Sequence, residues 1–134
     1  ISNDCHPQNI SLLKTRANLW NCEVVIGNPF EVNFNNEYCG MIVQYPNTYG
    51  EIYDYSNLSG KVHKNGGLFI GSTDLMALTV LKTPKEMGFD MCVGSNQRFG
   101  IPLGYGGPSA GFLALNEQFA RQLPGRIIGV SVDS

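Results

Sequence analysis

The sequence predicts an α/β fold. Short apolar runs alternate with stretches of helical spacing, and one strand–helix–strand stretch has the length of a βαβ unit. The runs are apolar at successive positions instead of alternating, which marks a sheet covered on both faces.

The elements follow in order. Pro7 suits a first helical turn, where its missing N–H costs nothing, and Ile10, Leu13 and Ala17 recur at helical spacing through Asn18. Val24, Val25 and Ile26 make Cys22 to Ile26 a candidate strand, closed by Gly27-Asn28-Pro29. Met41-Ile42-Val43 reads as a buried strand ending in the turn-rich Tyr45-Pro46-Asn47-Thr48-Tyr49-Gly50. Ser56 is placed to cap a helix whose Leu58 and Val62 share a face, and Gly66 suits its exit. Leu68-Phe69-Ile70 completes the βαβ unit, with a right-handed crossover expected. Phe89 to Val93 is a further strand, followed by the glycine-rich Gly100 to Gly107 and the apolar run Phe112 to Leu115. Asn116 then caps a helix carrying Phe119 and Leu123, stopped by Pro124-Gly125, and Ile127 to Val130 closes the chain as a strand.

A chain of 134 residues bounds one domain, read here as a single partial domain over 1–134. Charged residues make up 15%, below the roughly 25% of an ordinary soluble domain, so part of the surface is expected to lie under other polypeptide. The same deficit predicts self-association of the isolated chain. A net charge of −2 and the lack of any Lys/Arg block argue against nucleic-acid or anionic-membrane partners. No apolar run approaches the roughly 20 residues of a membrane span. The chain opens on Ile1 without Met or a signal-like stretch and reads as an excised piece, so missing targeting signals carry no meaning. Cys5, Cys22, Cys39 and Cys92 are too scattered for a disulfide scaffold or a zinc site, and read as ordinary reduced thiols. Asn9-Ile10-Ser11 and Asn57-Leu58-Ser59 match the glycosylation pattern, a motif short enough to arise by chance.

Several short motifs invite a catalytic reading and fail it. Gly107-Pro108-Ser109-Ala110-Gly111 matches the nucleophile elbow of serine hydrolases, which needs a strand before the serine, a helix after it and a histidine downstream. Here a glycine-rich loop precedes Ser109, a strand follows, and both histidines, His6 and His63, lie upstream. The adjacent Cys5 and His6 should point apart, and Ser11-Leu12-Leu13-Lys14 lacks the partner motifs of S-x-x-K enzymes. Gly104 to Gly107 could cradle a phosphate, but the loop has no Walker lysine and precedes a strand. Arg98 beside it could meet a carboxylate, either local or on a partner.

The stretch Gln97-Arg98-Phe99-Gly100-Ile101-Pro102-Leu103-Gly104-Tyr105-Gly106-Gly107-Pro108 is long and specific. With Pro124-Gly125-Arg126-Ile127-Ile128-Gly129-Val130 it closely resembles the glycine decarboxylase P-protein family. Cys5-His6-Pro7-Gln8, Thr15-Arg16-Ala17, Gln44-Tyr45-Pro46 and Thr73-Asp74-Leu75 fall in the family's order and near its spacing, so the resemblance covers the whole chain.

The resemblance implies the large domain of an aspartate-aminotransferase-type (PLP fold type I) enzyme, a mixed, mostly parallel sheet flanked by helices. It implies a parent enzyme in which pyridoxal phosphate is the electron sink for decarboxylating glycine, and a lipoylated carrier protein receives the aminomethyl group. It also implies that this segment comes from the N-terminal half, whereas the cofactor lysine sits in the C-terminal half in a His-Lys-Thr-Phe run. Aligned on Phe99, the lysine position is held by Gln97, whose amide cannot form a Schiff base. A pyridoxal site also wants a carboxylate at a strand end. That end falls here at Ile70, with Asp74 nearby as a cap or turn residue. Lys14, Lys61, Lys64, Lys82 and Lys85 are expected as solvated charges. No catalytic, cofactor-binding or metal-binding residue is therefore expected in this chain. Its partner is the cofactor-bearing half, and Arg98, Gly104, Tyr105, Gly106 and Gly107 form the expected interface loop. Ser109 stands where the family commonly carries His. The compartment would be the cytoplasm for a bacterial source and the mitochondrial matrix for a eukaryotic one. A catalytically inert fragment kept for binding is the second reading.

Overall fold

Pro7 opens the first helix, α1 (Pro7–Asn18), and Arg16 lies in its last turn, where positive charge meets the exposed carbonyls. The computed structural model describes residues 1–107, 110–123 and 125. Beyond α1 the chain forms β1 (Gly40–Tyr45), α2 (Ser56–Lys64), β2 (Leu68–Thr73), β3 (Met91–Ser95) and β4 (Gly111–Leu115). The strands make one sheet in the order β1-β2-β3-β4. β1, β2 and β3 run parallel, and β4 returns antiparallel to β3.

The register sorts the side chains into two faces. Met41 lies level with Phe69, Val43 with Gly71, Tyr45 with Thr73, and Gly71 with Cys92. This face is buried and packs with Leu58 and Val62 of α2, Tyr55, Met87 and Phe89 into the core. Tyr55 is its hub, edge-on to Phe69 and Phe89, whose ring centroids lie 4.4 Å apart. On the other face Ile42 pairs with Ile70, Ile70 with Met91, Met91 with Leu115, and Val93 with Leu113. None of these six is buried. α1 reaches this face at one corner, where Asn9 Nδ2 donates to Ser72 Oγ at 3.3 Å, and α1 has no buried residue of its own. Among the described residues one face is therefore a core and the other is half open, in contrast to the two covered faces expected.

Other expectations need correction. The run from Cys22 to Ile26 forms no strand: Cys22 N–H donates to Ala17 O, Val25 O accepts from the N-terminal amine of Ile1, and the bridge to the N-terminal segment, Ser2 with Gly27, lies just past the run. Ser56 does not cap α2. It is the first helical residue, and Asp54 Oδ1 accepts both its N–H (2.9 Å) and its hydroxyl (2.5 Å). β2 runs on past Ile70 to Thr73, and β3 begins at Met91, because Phe89 N–H is used in a turn onto Pro84 O. The helix after Asn116 is a 3-10 stretch, Glu117–Gln122. Asn116 spends its side-chain amide on Asp90 and offers no cap. The strand expected from Ile127 to Val130 lies outside the described residues.

Burial also sorts the thiols. Cys5 and Cys92 are buried, and the loss of hydration pushes both pKa values up to about 11, at Cys5 with help from the charge of Asp4. Cys22 and Cys39 are exposed. Maleimide labelling at pH 8 should modify Cys22 and Cys39 rapidly, and Cys5 and Cys92 only once the chain is unfolded. Peptide mapping that found equal labelling of all four in the native state would contradict the burial.

Candidate functional site

In open α/β sheets, ligands bind beyond the carboxyl ends of the parallel strands. Here β1 leads into the turn at Asn47, β2 into Asp74, and β3 into Asn96, Gln97 and Arg98. Asn47 is buried, and its Nδ2 donates to Asp4 Oδ2 at 3.0 Å and to Glu51 Oε2 at 2.8 Å. Its Oδ1 accepts the N–H groups of Tyr49 (3.0 Å) and Glu51 (2.8 Å). Tyr53 and Asn47, in that order, hold the Glu51 carboxyl below its ordinary range by hydrogen bonding to it. His6 donates its N–H to Gln44 Oε1 at 2.9 Å, and its Nδ1 lies 2.9 Å from Thr48 Oγ1. Cys5 is buried and His6 exposed, so the two do point apart.

Asp74 is the first residue past β2. Its Oδ1 accepts the Met76 N–H at 3.1 Å, the turn role expected of it, and its Oδ2 is ion-paired with Arg98 Nη1. Arg98 thus has a local carboxylate, and the pair ties the end of β2 to the loop that follows β3. Gln97 N–H donates to Ser95 Oγ at 3.1 Å, and Gln97 Nε2 donates to Ile101 O at 3.0 Å.

The glycine-rich loop projects from this rim. Gly104–Gly106 makes a 3-10 turn in which Tyr105 takes φ 53 and ψ 35, with Gly106 at φ 98 and Gly107 at φ 78. The ring of Tyr105 is fully exposed, and Phe99 and Leu103 are also exposed. The N–H groups of Gly106 and Gly107 donate to Leu103 O and Gly104 O, each at 3.0 Å, so they are not free to cradle a phosphate.

The remaining chemical candidates are accounted for locally. Lys82 Nζ donates to Asp54 Oδ2 and to Ser56 Oγ, each at 2.9 Å. The Ser56 hydroxyl and then Lys82 hold the Asp54 carboxyl well below the usual carboxylate range. His63 Nε2 lies 2.8 Å from Asp90 Oδ2. Ser109, the serine of the nucleophile-elbow pattern, lies outside the described residues. No group of three or more His, Cys, Asp or Glu that could hold a metal ion occurs among the described residues. Sequence reading missed the role of Asn47, although an Asn within a Pro-Asn-Thr turn is a signal for such backbone bonding. It also missed the carboxylate that Arg98 meets.

The sequence profile of the Glycine cleavage system P-protein family matches residues 1–134. Over 135 aligned residues the chain is 50% identical to glycine dehydrogenase (decarboxylating) 1, mitochondrial, of Arabidopsis thaliana, covering 100% of this chain and 13% of that protein. It is 47% identical over 131 residues to glycine dehydrogenase (decarboxylating) of Rhizobium etli, covering 98% of this chain and 14% of that one. Its fold is similar to the crystal structure of glycine decarboxylase (P-protein) of the glycine cleavage system in inhibitor-bound form. That match has a TM-score of 0.89 and 33% identity, and covers 98% of this chain and 31% of that one. The chain thus spans about one-seventh of the length of these curated relatives.

Proposed function

Because the chain belongs to the Glycine cleavage system P-protein family, we propose that it is a segment of the half of a glycine decarboxylase that does not hold the cofactor. Its own role is structural and interface-forming. In this enzyme class pyridoxal phosphate supplies the electron sink that lets the carboxylate of glycine leave as carbon dioxide. The residues present do not fit that group. The observation that carries the reading is Gln97: an amide stands where a Schiff-base lysine is needed, and its nitrogen already donates to Ile101 O at 3.0 Å. Asp74, the carboxylate at the end of β2, is occupied by Arg98 and is not free to pair with a pyridine nitrogen. Lys82 is held by Asp54 and Ser56.

Decarboxylation then belongs to the cofactor-bearing half, with a lipoylated carrier protein as acceptor of the aminomethyl group. The loop of Arg98, Gly104, Tyr105, Gly106 and Gly107 faces that half. The compartment follows the source, the mitochondrial matrix in a eukaryote and the cytoplasm in a bacterium. The test uses the full-length natural polypeptide. Reduction with borohydride in the presence of pyridoxal phosphate, followed by peptide mapping, should place the stoichiometric label on a lysine outside residues 1–134. A stoichiometric label on Lys14, Lys61, Lys64, Lys82 or Lys85 would sink the reading.

A further inference from the structure

We infer that Gln97 is a positioning residue whose side-chain amide staples the glycine-rich loop closed and so fixes the surface that Tyr105 presents. The interface role of that surface rests on the function proposed above; the staple itself rests on geometry. Gly100, Gly104, Gly106 and Gly107 lie between Gln97 and the end of the loop. Glycines lose more conformational freedom on ordering than other residues, so a loop this rich in them needs cross-bracing to hold one shape. Gln97 supplies it at two points. At its start, Gln97 N–H is fixed on Ser95 Oγ (3.1 Å). In the middle, Gln97 and Ile101 bond reciprocally: Nε2 donates to Ile101 O at 3.0 Å, and Ile101 N–H donates to Gln97 O at 3.3 Å. At its end Gly107 lies near the amide: an added Cβ there would come into ordinary contact with Gln97 Nε2, at 3.6 Å.

Tyr105 shows what the bracing sustains. A tyrosine at φ 53 sits in the left-handed region that non-glycine residues visit at a cost of order 1 kcal/mol. Its fully exposed ring makes no packing contact that could offset this cost. The closed loop holds it there. The Gln97 side chain is thus turned onto its own loop.

The donor is the part that matters, which gives the test. Gln97→Glu keeps the shape and removes the donor, setting a carboxylate against Ile101 O. Gln97→Lys restores an N–H donor on a stem long enough to reach that carbonyl. Amide hydrogen exchange, read by mass spectrometry on the full-length natural polypeptide, should show peptides within 98–107 exchanging about tenfold faster in Gln97→Glu, the effect of losing roughly one net hydrogen bond. Gln97→Lys should return them to within about twofold of the parent. Peptides covering β1 should exchange unchanged in both, which separates loop opening from global loosening. Parental exchange in Gln97→Glu, or exchange in Gln97→Lys as fast as in Gln97→Glu, overturns the staple. A Tyr105→Ala variant keeps the amide network and tests the interface separately, through kcat/KM of the full-length enzyme. If its activity is parental while Gln97→Glu loosens the loop, the staple stands and the interface reading falls.

Discussion

Replacing Asp90 by alanine should destabilise the folded chain by about 3 kcal/mol, because it strands a buried backbone donor. Asp90 is 5% exposed, and its Oδ2 accepts the N–H of Phe69 at 2.8 Å and lies 2.8 Å from His63 Nε2. Its Oδ1 meets Asn116 Nδ2 at 3.4 Å, while its backbone bonds Phe69 O (2.8 Å) and accepts Asn116 N–H (2.9 Å). One carboxylate therefore joins the start of β2, the end of α2 and the residue after β4. Phe69 is fully buried, so no water replaces the lost acceptor. Against a total stability of roughly 5–15 kcal/mol, such a loss is large. Asp90→Asn keeps an oxygen for Phe69 N–H and should cost only about 1 kcal/mol. His63→Ala removes a half-exposed partner and should cost about 0.5 kcal/mol. Urea denaturation of the three variants tests the order: if Asp90→Ala unfolds no earlier than His63→Ala, the carboxylate is not the anchor inferred here.

Much of this architecture was legible in the sequence, for identifiable reasons. Pro7 and the spacing of Ile10, Leu13 and Ala17 locate α1, and the βαβ unit follows from two apolar runs around Leu58 and Val62. The end of β2 was not legible, because Gly71-Ser72-Thr73 carries no apolar signal. The glycine is there because a Cβ would stand 2.8 Å from the ring of Phe89, a requirement set by a residue far along the chain. The same holds for Asp90 and for the Asp74–Arg98 pair: each joins segments that only the folded sheet brings together. At the loop, the sequence located Gln97 and excluded amine chemistry there. Its bond to Ile101 O was not legible, because a glutamine side chain can reach many acceptors and sequence spacing does not choose among them.

The isolated chain should self-associate through its open sheet face, and two opposite charges placed on that face should disperse it. Sheets with parallel strands and crossover helices bury both faces, yet of the apolar residues Ile42, Ile70, Met91, Val93, Leu113 and Leu115, which share one face, none is buried. Val93 is 39% exposed and Leu113 is 48% exposed. Apolar surface gains about 25 cal/mol for each Å² removed from water, and a chain with 15% charged residues has little polar cover to compete. Because Val93 and Leu113 are cross-strand partners, Val93→Lys with Leu113→Glu pairs the new charges with each other and leaves the buried face intact. Light scattering across a concentration series should show the parent chain growing beyond a monomer. The double variant should need at least about tenfold higher concentration to do so, equivalent to a loss of about 1.4 kcal/mol of association free energy. In the full-length polypeptide the same substitutions should impair assembly, since a face that is half open in this segment is a face the remaining chain has to cover. A parent chain that stays a compact monomer without binding an apolar dye would refute this account, as would a double variant that associates as readily as the parent.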